Sequence, residues 1–376
     1  MLRFNKGCFR KTELLILTLF MVIVLSACGN KPEEIEAFIM ETQESEPDLS
    51  IGTPMENAPE YEASNVITPS SFYQANYGFK DNWIDNHDGT ITYNGEKYKR
   101  KSNVKAILCA GIDKKGDIEA EGDEEYTGSA DGIFLVAHDQ SNNSIRVFMI
   151  PRDSMVDCVM TDPSGNQYTI FDHLNVSFGE GDGGKSSAES LKRATSDLLC
   201  GLDIDHYFVG NLDTLAVVND MVGGVEVEIP SDELAKINSE WTRGKKVRLK
   251  GDEAEQFIRY RDTDLEGSPV LRMDQHKQYI SGFYDALKQQ CRTDSNIVSK
   301  LSDTVEASKI SDMSKGEYER LLVDVIQSDF GIDEIVTLPG EVTKGEIDGE
   351  VYDEVYLDYT QVIPALLDCF YRKIED

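Results

Sequence analysis

The chain carries little positive charge, and this shortage excludes one class of partner. Its 376 residues include 37 Lys and Arg against 69 Asp and Glu, which gives a formal net charge of −32 at pH 7. Nucleic-acid binding depends on clustered basic side chains that neutralise phosphates, so we predict no nucleic-acid partner. The acidic balance still permits a phosphate-bearing substrate, because a few arginines and a divalent cation are enough to form a local anion site.

Cysteines are also few, and they are widely spaced. Seven occur in the sequence, and none forms the CxxC pair that would predict a zinc site. Two lie near the N terminus, and the other five are Cys109, Cys158, Cys200, Cys291 and Cys369. An odd number leaves at least one thiol unpaired. We therefore interpret this set mainly as small buried hydrophobic residues, with a single disulfide left open.

The apolar run near the N terminus is too short to cross a bilayer comfortably. Lys6, Arg10 and Lys11 precede Leu14–Leu25, which is shorter than the roughly 20 apolar residues that a span needs. Ser26 and Ala27 then lead into Cys28, the order of a bacterial lipobox. We predict a signal peptide over residues 1–27 and diacylation of Cys28. Two acyl chains would anchor the protein stably at the extracytoplasmic face of the membrane; an uncleaved N-terminal transmembrane anchor is the alternative.

The rest of the chain divides into a linker and a domain. Residues 28–76 are rich in Glu, Pro, Ser and Asn and lack apolar periodicity, a composition that predicts a disordered, acidic and polar linker. Residues 77–376 are long enough for one large α/β domain with a substantial core. The sequence shows no internal repeat.

Strand and helix patterns alternate along this domain. Short β-branched or aromatic runs bounded by turn residues predict strands at Val104–Ile112, Gly132–His138, Ser144–Ile150, His206–Gly210, Gly224–Ile229 and Ile335–Leu338. Apolar residues at helical spacing predict helices at Ser187–Leu199, Leu212–Val222, Asp252–Ile258, Met273–Leu287, Lys315–Gln327 and Thr360–Tyr371. The alternation predicts an α/β fold, a three-layer α/β/α sandwich around a central mixed sheet.

One motif resembles a nucleotide-binding loop. Gly179–Ser186 satisfies the pattern GxxxxGK[ST]. However, Glu180 and Asp182 would repel phosphates inside such a loop, no β-branched strand leads directly into it, and an exported protein meets little ATP. We interpret the segment as a glycine-rich turn with a helix beginning at Ser186 or Ser187, and we predict no ATP binding.

The most informative stretch is IPRDS at Ile150–Ser154. It places Arg152 at the carboxyl end of a predicted strand, where open α/β sheets bind ligands and where a guanidinium is suited to an anion. Asp113 follows the first predicted strand, and Asp131 precedes the second, so both are expected in loops at one edge of the sheet, close enough to share a Mg²⁺. An Asp in such a position is by itself more often a turn residue than a metal ligand. The presence of Arg152 nearby favours a metal and anion site.

Two further features complete an ordered pattern. Arg259 and Arg261 are one residue apart, and an extended segment would point both guanidinium groups to one side; taken alone, the pair is more simply a solvated basic turn. The sequence GGVEVEIP follows an apolar helix at Gly223–Pro230. Three further motifs are AGID (Ala110–Asp113), GSAD (Gly128–Asp131) and PRD (Pro151–Asp153). The order of all these motifs resembles the LytR-CpsA-Psr family of cell-wall glycopolymer transferases, from Val104 to Tyr371.

The resemblance implies roles for particular residues. Asp113 and Asp131 would hold Mg²⁺, or Mn²⁺ in its place, on the diphosphate of the substrate. Arg152 would contact the lipid pyrophosphate, and Arg259 and Arg261 would neutralise charge on the leaving polyprenyl phosphate. The implied catalytic residues are therefore Arg152, Asp131, Arg259 and Arg261.

Further substrate-binding positions follow from the resemblance, together with departures from the family pattern. Arg272 and Gln275 match an Arg and a Gln that open a long family helix, although the spacing is one residue short and a second Arg is missing. His173 takes the place of a Lys. An Arg expected next to Ser129 is absent, and the acidic insertion 115–126 is long for the family. Asp153 is expected to be structural rather than a proton acceptor.

The implied activity is that of a membrane-anchored phosphotransferase of Gram-positive cell-wall assembly. It would move a glycosyl phosphate from a polyprenyl-pyrophosphate-linked glycopolymer to a sugar hydroxyl of the peptidoglycan acceptor. The departures leave open a degenerate member that binds polyprenyl phosphates without catalysis, as an envelope scaffold or regulator. A lipoprotein that delivers a solute to a transporter would explain the anchor, but it would not explain the order of the motifs.

Overall fold

The computed structural model describes residues 82–113, 128–161, 167–179, 181–211, 214–262, 268–347 and 350–374. The predicted signal peptide, Cys28, the linker and the insertion 115–126 lie outside these ranges. Within them, no helix combines the length and the apolar character that crossing a membrane requires.

Strands and helices are both abundant in the described residues. The strands, in chain order, are β1 (Trp83–Asp85), β2 (Thr90–Tyr93), β3 (Glu96–Arg100), β4 (Val104–Ile112), β5 (Ala130–Asp139), β6 (Ser144–Ile150), β7 (Met155–Thr161), β8 (Gln167–His173), β9 (His206–Asn211), β10 (Val225–Glu228), β11 (Lys246–Leu249), β12 (Lys309–Ser311), β13 (Ile335–Thr337), β14 (Gly340–Ile347), β15 (Glu350–Leu357) and β16 (Tyr371–Lys373). The α-helices are α1 (Val176–Gly179), α2 (Lys185–Leu198), α3 (Leu215–Met221), α4 (Asp252–Arg259), α5 (Ser268–Gln290), α6 (Ile297–Val305), α7 (Lys315–Gln327) and α8 (Tyr359–Phe370).

The centre of the fold is a six-stranded mixed sheet in the order β12, β9, β4, β5, β6, β13. Strand β4 pairs antiparallel with β5 and parallel with β9. Its nine residues are buried except for the partly exposed Lys105, a continuous apolar run that is typical of a strand covered on both faces. The predicted central mixed sheet is therefore confirmed.

Helices cover both faces of this sheet and form two apolar cores. Ile107 and Cys109 of β4 point into one core, where they meet buried side chains of α4 and α5 such as Phe257. The alternate residues, among them Leu108, point into the other core, which contains Leu191 of α2 and other residues of α2 and α8. This alternation follows from the two-residue period of a strand. The predicted three-layer arrangement is confirmed.

Every strand and helix predicted from the sequence is present, most with ends within three residues of the predicted ones, whereas the pattern did not predict β1, β2, β3, β7, β8, β11, β12, β14, β15, β16, α1 and α6. The helix faces expected to be buried are buried: in α2 and the residue after it, Ala188, Leu191, Ala194, Thr195, Leu198 and Leu199, and around α3, Leu215, Val218, Asn219 and Val222. None of the five cysteines of the domain, all of which lie in the described ranges, forms a disulfide, and Cys109 and Cys158 are buried. The disulfide left open is therefore not formed.

Two boundaries change the description of the site. Strand β5 begins at Ala130 rather than Gly132, so Asp131 lies inside a strand and not in the loop that precedes it. Helix α5 begins at Ser268 rather than Met273, with Pro269 in its first turn, where proline is tolerated because the first N–H groups of a helix have no partner within it. Arg272 and Gln275 are consequently helical.

Several strand ends lie together at one edge of the central sheet, where the candidate site is found. The carboxyl ends of β4, β6 and β9 and the amino end of β5 lie there, as shown by the register Ile112 with Ala130, Ile133 with Ile150, and Ile112 with Asn211. Two hairpins, β7–β8 and β14–β15, stand beside this edge. They approach each other through a bridge between Ser154 and Val355.

Candidate functional site

Asp113 and Asp131 are brought together by the pairing of β4 with β5. The backbone N–H of Ser129 donates to Asp113 Oδ1 at 2.8 Å, and the N–H of Asp113 donates to the carbonyl of Ser129 at 3.2 Å. Asp113 is therefore fixed opposite Ser129, which lies two residues before Asp131 in the sequence. Asp131 is only 3% exposed. The expected pair of carboxylates at one sheet edge is present.

Arg152 lies at the same edge, on a tight turn after β6. Ser154 closes the turn by donating its N–H to the carbonyl of Pro151 at 3.1 Å. The guanidinium of Arg152 forms an ion pair with Asp131, and its Nε lies 3.2 Å from Asp153 Oδ1. The predicted anion-binding arginine and one predicted metal ligand are thus in direct contact.

Arg272 joins this group from the first turns of α5. The residue is 4% exposed, and burial, together with the positive charge of Arg152, lowers its pKa to about 10, although Asp153 and Asp131 favour the charged form. A guanidinium with that pKa is still charged at neutral pH. A second cation therefore lies buried beside Arg152, as expected for a site that binds an anion.

The carboxylates of the site have shifted pKa values. Burial raises the pKa of Asp131 to about 6, and Asp113 adds to the shift while Arg152 and Arg272 oppose it. Burial also acts to raise the pKa of Asp153, but the charges of Arg152, Arg272 and Arg261 outweigh it and hold this pKa below its ordinary value. Asp153 is therefore a permanent anion among arginines, which fits the structural role expected for it.

The two arginines of the segment Arg259–Arg261, RYR in the sequence, differ in their backbone conformation and contacts. Arg259 is the last residue of α4 and pairs with Glu255 one helical turn earlier, at 2.6 Å. Tyr260 is extended; Arg261, which follows it, forms an ion pair with Asp353 and lies 3.9 Å from Asp153. The expectation of one extended segment is wrong for Arg259, because the helix continues through that residue.

Gln275 acts on the backbone of this segment. The side chain is buried, and its Nε2 donates to the carbonyl of Phe257 and, at 3.3 Å, to that of Tyr260. These carbonyls belong to the last turn of α4 and the residue beyond it, where helix carbonyls have no intrahelical partner. Gln275 thus donates to the backbone of the segment that carries Arg259 and Arg261.

His173 is held on both sides. Its Nδ1 lies 2.8 Å from Asp172 Oδ1, and its Nε2 lies 3.0 Å from the carbonyl oxygen of Asp353. A carboxylate and a carbonyl both accept, so this geometry favours the imidazolium form, in which both ring nitrogens donate. Burial opposes this charge, but the Asp172 hydrogen bond and the charge of Asp153 hold the pKa of His173 above its ordinary value.

Asp353 and Lys344 are site residues that the sequence did not indicate. Both lie on the hairpin β14–β15, where Lys344 Nζ is 2.6 Å from Asp353 Oδ1. The only signal in the sequence is an acidic residue within an alternating strand pattern, and such a residue normally faces solvent. Its burial depends on Arg261, which is 92 residues away in the sequence.

The two proposed metal ligands fit a magnesium ion that also binds substrate. Asp131 Oδ1 contacts Arg152, while Oδ2 is buried and has no hydrogen-bond partner in the described part of the chain. Among those same residues, no cluster of three or more His, Cys, Asp or Glu could hold a metal. Mg²⁺ commonly binds through one or two carboxylates and the phosphates of a substrate, and Asp113 with Asp131 suits that mode.

The glycine-rich motif has a different structure from a phosphate-binding loop. Asp182 Oδ1 accepts from the backbone N–H groups of Gly184 at 2.8 Å, Ser186 at 3.1 Å and Ser187 at 3.4 Å. These N–H groups open α2, which begins at Lys185, and they are the donors that a phosphate would need. A carboxylate of the chain already occupies that position, which supports the interpretation as a turn and a helix start.

A sequence profile of the LytR_cpsA_psr family matches residues 73–355. Among curated proteins, the chain is 27% identical over 188 residues to the polyisoprenyl-teichoic acid–peptidoglycan teichoic acid transferase TagU of Bacillus cereus (strain AH820), covering 50% of this chain and 54% of the relative. It is 24% identical over 229 residues to the corresponding transferase TagV of Bacillus subtilis (strain 168), covering 58% and 56%. The chain thus spans about half the length of these relatives.

Solved structures share the fold. The crystal structure of B. subtilis TagV superposes with a TM-score of 0.51 at 21% identity, covering 71% of this chain and 97% of that one. The structure of TagT bound to LI-WTA gives a TM-score of 0.52 at 18% identity, covering 71% and 90%. At these identities the likeness establishes the architecture alone.

Proposed function

Because this chain belongs to the LytR-CpsA-Psr family, we propose that it is a phosphotransferase of cell-wall assembly. It moves a glycosyl phosphate from a polyprenyl-pyrophosphate carrier to a hydroxyl of peptidoglycan. The curated relatives are named as teichoic acid transferases, so a teichoic acid-like glycopolymer is the substrate class that we propose.

The observation that carries the proposal is the cluster of arginines at the sheet edge. Arg152, Arg261 and Arg272 all lie around Asp153, and each of them lowers its pKa. Buried cations are costly unless anions compensate them, so a site with several of them is suited to a ligand with several negative charges. A diphosphate is such a ligand, and guanidinium groups bind phosphate oxygens in pairs.

The proposed reaction is an attack of the acceptor hydroxyl on phosphorus, in which each arginine has its own role. The acceptor hydroxyl oxygen forms a bond to the phosphorus that carries the sugar, and the bond from that phosphorus to the polyprenyl phosphate oxygen breaks. The leaving group carries away the electron pair, and the hydroxyl proton passes to solvent. Arg152 and Arg261 neutralise the charge that grows on the leaving phosphate, while the position of Arg259 at the end of α4 gives it a supporting role.

Mg²⁺ or Mn²⁺ is the cofactor that we propose. Asp113 and Asp131 would hold it, and the ion would supply a positive charge that polarises the phosphoryl oxygens. Oδ2 of Asp131, which is buried and has no hydrogen-bond partner among the described residues, supports this assignment. The protein's own part is to hold the two carboxylates at the ends of β4 and β5.

Lipid attachment at Cys28 is the proposed anchor, and residues 28–76 are the proposed linker to the domain. This arrangement would hold the domain at the outer face of the membrane, where a polyprenyl carrier lies. The support is the lipobox order of Ser26, Ala27 and Cys28.

The decisive experiment uses the full-length chain in detergent with a lipid-linked oligosaccharide, Mg²⁺ and peptidoglycan. Covalent transfer of the oligosaccharide to peptidoglycan, lost with EDTA and in Arg152→Ala, is the expected result. Saturable binding of the lipid without transfer would instead identify a binding-only member, which would agree with the contacts of both His173 nitrogens to groups of the chain itself. The absence of both binding and transfer would reject the proposal.

A further inference from the structure

The hairpin β14–β15 places a buried carboxylate in the arginine cluster. The side chain of Asp353 is 6% exposed, and its two oxygens take one cation each: Oδ2 contacts Arg261, and Oδ1 lies 2.6 Å from Lys344 Nζ. Burial of an isolated carboxylate is unfavourable, and it is offset only by such partners. The pairing therefore holds both cations in place as well as the acid.

Asp353 fixes the orientation of Arg261 more directly than the other nearby acid does. Asp153 Oδ2 is 3.9 Å from the guanidinium of Arg261, too far for a hydrogen bond, so that carboxylate contributes charge but little direction. Nη2 of the same group donates a hydrogen bond to Asp353 Oδ2. A guanidinium is planar and rigid, so holding one edge of it sets where its other donors point.

Asp353 is itself held on a rigid element. Its carbonyl accepts from His173 Nε2 at 3.0 Å, and two residues on, Val355 donates its N–H to the carbonyl of Asp153 at 2.8 Å. The hairpin is thus tied to β8 on one side and to the PRD turn on the other. A side chain placed on a strand and locked by such contacts is positioned more accurately than one on a loop.

We infer that Asp353 is a positioning residue that orients Arg261 for a polyprenyl diphosphate, and that Lys344 in turn orients Asp353. The inference rests on the proposed function, since it names a part of the same anion site. It extends the site to the hairpin β14–β15, a region outside the motifs by which the sequence resembled its family. Asp353 acts through Arg261 and does not itself meet the anionic ligand, which its charge would repel.

The test measures binding of farnesyl diphosphate, a soluble probe of this class, to the full-length chain in detergent with Mg²⁺ at fixed salt. Asp353→Asn keeps the size of the side chain but removes its charge, and it should weaken binding about tenfold. In an Arg261→Gln background the same change should have no further effect, because residues that act through one contact are not additive. Additive losses in the double variant would overturn the inference.

A matched control lies next to Asp353 on the same strand. Glu354 is also buried, but it points to the opposite face and accepts from Tyr356 Oη at 2.8 Å. Glu354→Gln should therefore leave the affinity for farnesyl diphosphate unchanged within about twofold. An equal loss in both variants would mean that any change to this strand disturbs the site, and it would also overturn the inference.

Two further variants distinguish a failure of this inference from a misfolded protein and from a failure of the proposed function. Lys344 is 54% exposed, so Lys344→Met should fold even if Asp353→Asn does not, and it should weaken binding about threefold; no loss there would count against the inference. Arg152→Ala reports on the proposed function. If wild type binds the probe and Arg152→Ala weakens binding while Asp353→Asn and Lys344→Met do not, the inference fails and the proposed function stands.

Discussion

Arg152 and Asp131 form an ion pair across the end of the central sheet. The proposed phosphate ligand is therefore the direct neighbour of one proposed metal ligand, although 21 residues separate them in the sequence. An ion bound to Asp131 and a phosphate bound to Arg152 would meet at this contact. Metal and lipid phosphate should consequently bind with positive coupling, and each should strengthen the other.

The first prediction concerns the metal. Mg²⁺ or Mn²⁺ should stimulate transfer at least tenfold in wild type, and Asp113→Ala or Asp131→Ala should abolish the stimulation, because each removes a proposed ligand. Titration of the transfer rate with Mg²⁺ in the three proteins is the measurement. An equal response to metal in all three would show that these carboxylates do not share an ion.

The two variants should differ in stability. Both aspartates were expected in loops, but Asp131 lies inside β5, is 3% exposed and is paired with Arg152. Asp131→Ala should therefore lower the free energy of unfolding by about 2 kcal/mol, since it leaves Arg152 with one partner fewer. Asp113→Ala should change it by less than about 1 kcal/mol. Urea unfolding measures both.

The second prediction concerns Arg152. A charge-assisted bond to phosphate contributes about 1.5–3 kcal/mol, so Arg152→Ala should weaken binding of a polyprenyl phosphate by roughly tenfold or more. Arg152→Lys should restore only part of the affinity, because the ammonium cannot contact two oxygens in the way a guanidinium does. Binding at fixed salt to the full-length chain is the measurement.

Lys185 supplies the control for Arg152. It is exposed at the start of α2, where Asp182 already binds the helix N-terminus. Lys185→Ala should change the affinity for polyprenyl phosphate by less than about twofold. A larger loss than that of Arg152→Ala would move the anion site to the glycine-rich turn.

The parts of the fold that depend on local pattern could be predicted from the sequence. The apolar run of β4 and the helical spacing in α2 determine which faces are buried, whatever the rest of the chain does, and both predictions were confirmed. The hairpin β14–β15 was missed, because charged residues such as Asp353 interrupt its apolar pattern. Those charges are tolerated only through distant partners, which a local pattern does not contain.

The same distinction applies to the site. The sequence order brought Asp113, Asp131 and Arg152 to one edge, because strand direction alone decides where strand ends lie. The pairing of Arg259 with Glu255 depends instead on one extra helical residue at the end of α4. Boundaries of this kind vary by a residue or two, and here one residue decides the direction of a side chain.

The third prediction separates the two arginines of RYR. Arg261 joins Asp153 and Asp353 in the cluster, whereas Arg259 pairs with Glu255 on its own helix. Arg261→Ala should therefore weaken binding of polyprenyl phosphate about tenfold, and Arg259→Ala only about twofold to threefold. Equal losses would show that both guanidinium groups contact the ligand, as an extended RYR segment would have required.

The fourth prediction concerns the anchor. Cys28→Ala should leave an unprocessed precursor without lipid, because Cys28 is the thiol that follows the apolar run and its small residues. Metabolic labelling with a fatty acid measures this in growing cells, and Cys8→Ala, inside the predicted signal, is the matched control. Label incorporated by Cys28→Ala at the wild-type level would reject the lipobox.

The last prediction is a pH dependence set by His173. Three groups face its ring or lie near it, namely the carboxylates of Asp172 and Asp153 and the carbonyl of Asp353, and they hold its pKa above the ordinary value of 6.5 despite burial. A raised pKa in the folded state means that the charged imidazole contributes stability below about pH 6.5, and that this contribution is lost as the pH rises through the folded pKa.

Between pH 6 and pH 9, wild type should therefore lose about 1.5–3 kcal/mol of stability, the size of one charge-assisted hydrogen bond, relative to His173→Gln. The amide of Gln can donate a hydrogen bond but does not titrate, so the difference between the two proteins isolates the imidazole. Urea unfolding of both proteins at several pH values within this range is the measurement. Parallel stability curves for the two would show that His173 does not gain a proton on folding, and that at least one of its two contacts is not a donated hydrogen bond.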